Sequence, residues 1–348
     1  MSPSIPRGGA AARVTIADVA RLARVDPSVV SRVINSDDRL VIKEETRARV
    51  VDAIRELRYH PNAAARSLRT SQSGTFGLLI PDFTNPIYAE IIIGAERAAT
   101  EHDALLLVGS AIENRPERYV EMLASGRVDG LLLATDMLQS ETIEAMARTG
   151  RPLVSVNQRI KGVKRTILAD DEGASRIAVR RLYDLGHRHI AHLRGPETSD
   201  TATRRLAGYR KALAACGIPE SDAVVLPGGY TTESGVSGIA ALLTIKQRPT
   251  ALVIANIAAA VGAMSALREA GLRVPEDISV IAIHDIALAA HLAPPLTTVS
   301  MPLAEMGAAG VAALSGDASE GTTVVKKPTA LIERRSTAPV RVTARSRS

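Results

Sequence analysis

Tryptophan is absent, cysteine occurs once, and aromatic residues make up 2% of the 348-residue chain. A single thiol, Cys216, cannot close an internal disulfide and cannot by itself hold a zinc ion. That excludes a disulfide-stapled secreted scaffold and suits a reducing compartment. No apolar run approaches the roughly 18 to 20 residues that span a bilayer, and residues 1–13, rich in Pro, Gly, Ser and Ala, lack the apolar core of a signal peptide. The expectation is a soluble cytoplasmic protein without a membrane partner. Also missing are G-x-S-x-G, P-loop, G-x-G-x-x-G and H-E-x-x-H runs, so neither an enzyme nor a cofactor site is expected.

Metal ligands are sparse as well. His187, His189 and His192 form the densest histidine group, but 189 and 192 differ in parity along a strand and point to opposite faces. Asp170, Asp171 and Glu172 precede a helix beginning at Gly173, where acidic side chains suit the positive end of the dipole. No metal site is expected.

What remains is 46% hydrophobic and 23% charged, enough for one or two ordinary cores. The charge is unevenly placed. Residues 1–70 carry 13 Lys and Arg against 8 Asp and Glu, which is +5 of the net +6 of the chain. A basic head on a near-neutral body points to a polyanion for the head and a different partner for the body.

In the head, Ile16, Val19, Ala20 and Ala23 share one helical face, with Thr15 placed to cap it. After a break at Arg24 and Val25, Asp26 suits a cap and Pro27 the first position of a second helix, whose apolar side is Val30, Val33 and Ile34. Ser28, Ser31 and Arg32 then face outward. A third helix from about Lys43 to Leu57 buries Val50, Ala53, Ile54 and Leu57. Two short helices on a tight turn form a helix-turn-helix, whose second helix suits a major groove. The following YHPNAAARSLRTSQSG is too short for a stable isolated helix. It reads as a linker, or as a wedge in which Leu68, between Arg66 and Arg69, enters a widened minor groove while the arginines meet phosphates.

From Thr75 onward, apolar runs at 76–80, 104–108, 130–134, 153–156, 189–193, 223–226, 251–255 and 278–283 alternate with amphipathic stretches such as 87–102, 173–185, 203–215 and 258–270. This predicts parallel sheets covered on both faces. About 270 residues is long for one sheet, so two α/β subdomains are expected.

The runs TIADVARLA, VVSRVIN, TRARV, YHPNAAARSLR, GLLIPDFTNP, LGHRHIA, RLAGYRKAL, VPEDISV and PPLTTV, in this order along nearly the whole chain, resemble the LacI/GalR (lac and galactose repressor) family of bacterial transcription regulators. The resemblance implies a small all-α helix-turn-helix head on a body like periplasmic binding proteins, with two parallel-sheet subdomains closing on a small effector. The implied divisions are a tail at 1–13, a head at 14–60, a hinge at 61–72, a body at 73–340 and a basic tail at 341–348. Within the body, one lobe comprises 73–169 with 302–320 and the other 170–299 with 321–338. The implied function is a repressor, a homodimer on a near-palindromic double-stranded operator, controlled by a small-molecule effector. A periplasmic-type sugar receptor without DNA binding is the alternative, and the basic head speaks against it.

Carried over to this chain, Pro27, Ser28 and Arg32 fall at base-reading positions, with Ser31 near the backbone and Leu68 as the wedge. Thr15, Asn35, Asn62, Arg66 and Arg69 complete the implied DNA-binding set. The implied effector contacts are Asp82, Asn85, Tyr88, Asn157, Arg205, Tyr230, Asn256 and His284. Departures from the family pattern stand at Arg24, where Gly is usual, at Asp26, where Ser is usual, and at Ile42, where a capping Ser is usual. In the body, Ala282-Ile283-His284-Asp285 stands where a GFDD-like run is common, so an imidazole replaces a carboxylate. With Arg205 and Arg204 nearby, that substitution predicts a positive pocket and an anionic, phosphorylated or acidic sugar-like effector rather than a neutral hexose.

Overall fold

The computed structural model describes residues 14–34, 37, 39–59, 72–111, 115, 117–316, 320–325 and 329–340. These form two compact units that divide between Ser73 and Gly74.

The first unit holds α1 (Ile16–Ala23), α2 (Pro27–Ile34) and α3 (Glu44–Glu56). Thr15 caps α1 through a capping box with Asp18, the Thr15 amide donating to the Asp18 carboxylate at 3.0 Å. The helix ends at Arg24, which lies in the left-handed region at φ 54°, while the Val25 amide donates to the Ala20 carbonyl at 3.0 Å. Asp26 accepts from the Ser28 amide at 2.8 Å, and Pro27 fills the first position, where its missing N–H is harmless. Lys43 precedes α3 without a side-chain cap. Val19, Val30 and Val50 are fully buried, and Ala20, Ala23 and Ala53 let the three helices approach around them. Ile34, Ile54 and Leu57 are only partly buried at the margin of this core.

The second unit contains two six-stranded sheets. The first comprises β1 (Thr75–Ile80), β2 (Leu105–Ser110), β3 (Gly130–Leu133), β4 (Leu153–Val156), β5 (Arg165–Leu168) and β11 (Gly321–Val324), in the order β11-β5-β4-β3-β1-β2. All its pairings are parallel. The second comprises β6 (Ile190–Leu193), β7 (Val224–Leu226), β8 (Ala251–Ile254), β9 (Ser279–Ile283), β10 (Thr297–Ser300) and β12 (Ala330–Ile332), in the order β12-β10-β9-β8-β6-β7. Here only the β10–β12 pair is antiparallel. The eight apolar runs all become strands. The other four were illegible because RTIL, TTVS and GTTV are rich in threonine or charge and ALI is very short. One boundary is corrected: β11 pairs with β5, so Gly321–Val324 belongs to the first sheet and not to the second lobe.

Helices cover the sheets, and glycine sets their closest approaches. α4 (Ile87–Glu101) packs on α11 (Leu303–Ser315), where a Cβ on Gly94 would collide with the Ala304 carbonyl and one on Gly307 with that of Ile91. In the second lobe α7 (Asp171–Asp184) packs on α8 (Asp200–Ala215). The chain enters that lobe after β5, returns after β10 and enters again after β11. Such open parallel sheets present ligands to the loops beyond their carboxyl ends.

The left-handed backbone at Arg24 costs an L-residue roughly 1 kcal/mol that glycine avoids, less glycine's greater entropy when unfolded. Arg24→Gly is therefore expected to stabilise the head by about 0.5–1 kcal/mol. Urea unfolding followed by amide exchange in residues 16–56 would check this, and a lower midpoint would contradict it.

Candidate functional site

On the head, Pro27, Ser28 and Arg32 are exposed along one side of α2, and Ser31 is half-buried beside them. Hydrogen bonds from Ser28 hold the Asp26 carboxyl below its ordinary range, so a negative charge sits at the start of this helix. Among the described residues, Arg32's side chain makes only an exposed ion pair with Asp37 at 3.8 Å, a contact worth little in water. The Thr15 hydroxyl donates to Asp18 at 2.7 Å. Asn35, Asn62, Arg66, Leu68 and Arg69 lie outside the described residues, as do both predicted tails.

In the body, the carboxyl ends of both sheets border a cavity of about 250 Å³. Tyr88, Asn157, Arg205, Tyr230 and Asn256 line it together. Asp82 and Asn85 do not: they line an adjoining recess on the far side of Tyr88 and Tyr230. There the Asp82 carboxylate accepts from the Thr84 amide at 2.7 Å, the Thr84 hydroxyl and the Asn85 amide, which folds the loop back on itself. His284 is also absent from the cavity wall, lying fully buried behind Arg205.

Each wall residue is set by its element. Asn157 follows β4 with φ 73°, a conformation asparagine tolerates, and its side-chain amide is left for the cavity. Asn256 caps α10 (Ile257–Glu269) by accepting from the Ala259 amide at 2.9 Å and donates to the Tyr230 carbonyl at 3.3 Å. The Tyr230 hydroxyl shares a 2.6 Å hydrogen bond with Thr201, at the start of α8. Burial, reinforced by Tyr230, Asp136 and Asp82 nearby, raises the Tyr88 hydroxyl pKa and keeps it protonated.

Arg205 is 1% exposed and makes three hydrogen bonds. Nε donates to Asp171 at 2.7 Å, Nη1 to the Ala255 carbonyl at 2.7 Å and Nη2 to His284 Nε2 at 3.1 Å. A guanidinium has five N–H donors, so one remains on each terminal nitrogen for the cavity that Arg205 lines. Arg204 pairs with the other Asp171 oxygen and with Asp200 at 3.1 Å, and it donates to the Asn157 carbonyl at 2.7 Å.

This arrangement corrects the charge expected from His284. Burial, and then Arg205, push the imidazole well below its ordinary pKa, so it is neutral, and its Nε2 accepts a hydrogen bond from the guanidinium. Asp171 pairs with both Arg205 and Arg204, and Asp200 pairs with Arg204 and Arg159. Asp136 adds a carboxyl group to the wall, its pKa raised by burial and by Asp200. Asp285 faces Arg334, which it engages at 2.7 and 3.2 Å, and does not turn to the cavity. The imidazole therefore adds no positive charge to the pocket. Its other polar groups are the amides of Asn157, Gln158 and Asn256 and the hydroxyls of Thr198, Ser199, Thr201 and the two tyrosines.

Asp171 reads in sequence as a helix-start acid, and only the fold brings it beneath an arginine pair 33 and 34 positions along. Asp136, Gln158, Thr198, Ser199 and Thr201 were missed because they occupy loops with no distinguishing pattern. Among the described residues, no three His, Cys, Asp or Glu side chains are disposed to hold a metal ion. No helix among them is long and apolar enough to cross a membrane.

The family model for bacterial regulatory proteins of the lacI family matches residues 15–62, and that for a periplasmic binding protein-like domain matches 179–337. The ribose operon repressor of Escherichia coli (strain K12) is 39% identical over 298 residues, covering 84% of this chain and 89% of that protein. The crystal structure of the lac repressor dimer bound to operator and the anti-inducer ONPF superposes with a TM-score of 0.80 at 30% identity, covering 94% of this chain and 99% of the other. A regulator from Enterococcus faecium with bound ribose gives a TM-score of 0.69 at 27% identity, over 77% of this chain and 100% of the other.

The buried histidines make stability depend on pH. His192 donates Nδ1–H to the Val253 carbonyl at 3.1 Å and stacks on Tyr209, and burial lowers its pKa to about 4. Unfolded, it titrates near 6.5, so between these values the unfolded chain binds the extra proton. The stabilisation is complete above about pH 6.5 and is lost as pH falls through about 4, a loss of about 3 kcal/mol for this residue. His187 and His284, also lowered by burial, act in the same direction. Unfolding free energies from pH 7 to 4 are expected to decline, and His192→Gln to reduce the slope; an unchanged slope would contradict the assignment.

Proposed function

The chain belongs to the lacI family of bacterial regulatory proteins, as a DNA-binding transcription repressor controlled by a small molecule, and we propose that this effector is an uncharged monosaccharide. The observation that carries this reading is the charge balance around Arg205: its positive charge is matched by Asp171, and the third partner, His284, is neutral. What the wall offers is a set of hydroxyls, amides and one carboxyl in about 250 Å³. That is just below the roughly 300–1,000 Å³ of drug-sized pockets and suits one sugar ring. A phosphate would add charge beside Asp136 without gaining an unmatched cation. Ribose is the first candidate, because relatives named for it or solved with it resemble this chain.

Both lobes supply wall residues: Tyr88, Asp136 and Asn157 come from the first, Arg205, Tyr230 and Asn256 from the second. A ligand touching both has a different free energy in each lobe arrangement, which is all that a population shift requires. In the head, α2 enters the major groove, where Pro27 offers only apolar contact, Ser28 and Arg32 meet base edges and Ser31 the backbone, with Thr15 and Asn35 alongside. Asn62, Arg66, Leu68 and Arg69 act from the hinge on the minor groove. Two copies of the chain related by a two-fold axis match a near-palindromic operator with half-sites about one helical turn apart. Such a repressor acts in the cytoplasm, without a cofactor.

Thermal shifts against D-ribose, other neutral pentoses and hexoses, and their phosphate esters test the effector class. A rise confined to neutral sugars is expected, and a rise confined to the esters would overturn the reading. For the head, Arg32→Ala is expected to relax one base position by about 1–3 kcal/mol, measured by selection of bound sequences. An unaltered consensus would remove Arg32 from base reading.

A further inference from the structure

His284 is the one residue of the expected effector set that the structure buries completely yet keeps off the cavity wall. Its backbone is left-handed at φ 73°, and its amide donates to the Val299 carbonyl at 2.8 Å, which fixes the ring's origin at the end of β9. From there Nε2 accepts from Arg205, while Nδ1 has no hydrogen-bond partner among the described residues. An imidazole accepting at Nε2 must, when neutral, carry its proton on Nδ1. The ring thus turns its acceptor nitrogen to Arg205 and its remaining nitrogen away from any hydrogen-bond partner among the described residues.

The three anchors of Arg205 have different chemistry. Asp171 supplies charge, Ala255 a carbonyl dipole and His284 an acceptor without charge. Together they take one N–H from each nitrogen and leave the two terminal nitrogens with one donor each. A second carboxylate in place of the imidazole would give the guanidinium two counter-charges and leave a net negative site. An apolar side chain would release Nη2 and let the fork rotate.

We propose that His284 is a positioning residue, an uncharged acceptor that fixes Arg205 as a two-donor reader of adjacent sugar hydroxyls. It acts through Arg205 and does not touch the effector. This inference rests on the neutral-sugar reading above.

The test compares the full-length wild type with His284→Gln and His284→Leu by calorimetric titration of the neutral sugar that shifts the wild-type melting temperature, D-ribose being tried first. Gln and Leu pay the same left-handed backbone cost, but only Gln places an acceptor at the reach of Nε2. Sugar affinity is expected to fall tenfold or more in the Leu variant and to return to within about threefold of wild type in the Gln variant, at similar melting temperatures without ligand. His284→Gly, which relieves the backbone, serves as the acceptor-free protein if the Leu variant does not fold. Wild-type affinity in an acceptor-free variant, or equal loss in the Gln variant, would overturn the proposal while leaving the sugar reading intact. A wild type that no neutral sugar stabilises would overturn both.

Discussion

A guanidinium at 1% exposure is the constraint around which the second lobe is arranged. Removing such a charge from water costs several kcal/mol per ion after relaxation, so a partner of opposite sign and a full set of acceptors must be in place before the lobe closes over it. Asp171 meets the first need at 2.7 Å, and the Ala255 carbonyl and His284 meet the second. These partners come from three separate places: the first residue of α7 and the loops after β8 and β9. Only when the sheet order brings β8 and β9 side by side next to α7 and α8 do they converge. Removing Asp171 alone would leave the charge uncompensated, a change that typically costs about 3–5 kcal/mol.

With 2% aromatic residues, the chain builds its cores from aliphatic strands and small-residue helices. β3, β6, β8 and β9 are buried along their whole length, and the helices above them meet through Gly94, Gly307 and Gly208. Close-packed backbones gain contact area without large side chains. The aromatic residues are thereby released for places where an apolar ring with a polar tip is useful. Two of the six tyrosines, Tyr88 and Tyr230, stand on the cavity wall. Tyr209 lies in the second core, donating its hydroxyl to the Ile190 carbonyl at 2.8 Å and stacking on His192.

Legibility in the sequence followed range. Thr15, Asp26 and Pro27 mark their helices through contacts one to three residues away, and all three do what local capping chemistry predicts. The apolar runs of β1, β3, β6 and β8 are equally local. β11 is not: GTTV is exposed along its length, and only its pairing with β5, some 156 residues earlier, makes it a strand of the first sheet. The site divides in the same way. Arg205 is marked by its motif and the two tyrosines by the family resemblance, but the charge around Arg205 depends on Asp171 and on the depth of His284. A run such as AIHD shows that an imidazole has entered the loop. It does not show that the ring is buried, neutral and turned toward an arginine.

Arg204 extends the consequences of this burial across the cleft. Its side chain contacts Asp171 and Asp200 in its own lobe, and it donates to the Ala169 and Asn157 carbonyls, which follow β5 and β4 of the other. Asp200 in turn accepts from the Arg159 amide at 3.0 Å and pairs with its guanidinium at 3.2 Å. The loop that presents Asn157 to the cavity is therefore held by the helix that presents Arg205. A ligand bonded to both residues acts on a joint that already has defined partners on each side. Of these adjacent arginines, Arg205 lines the cavity and Arg204 bridges the two lobes, on consecutive residues of one helix.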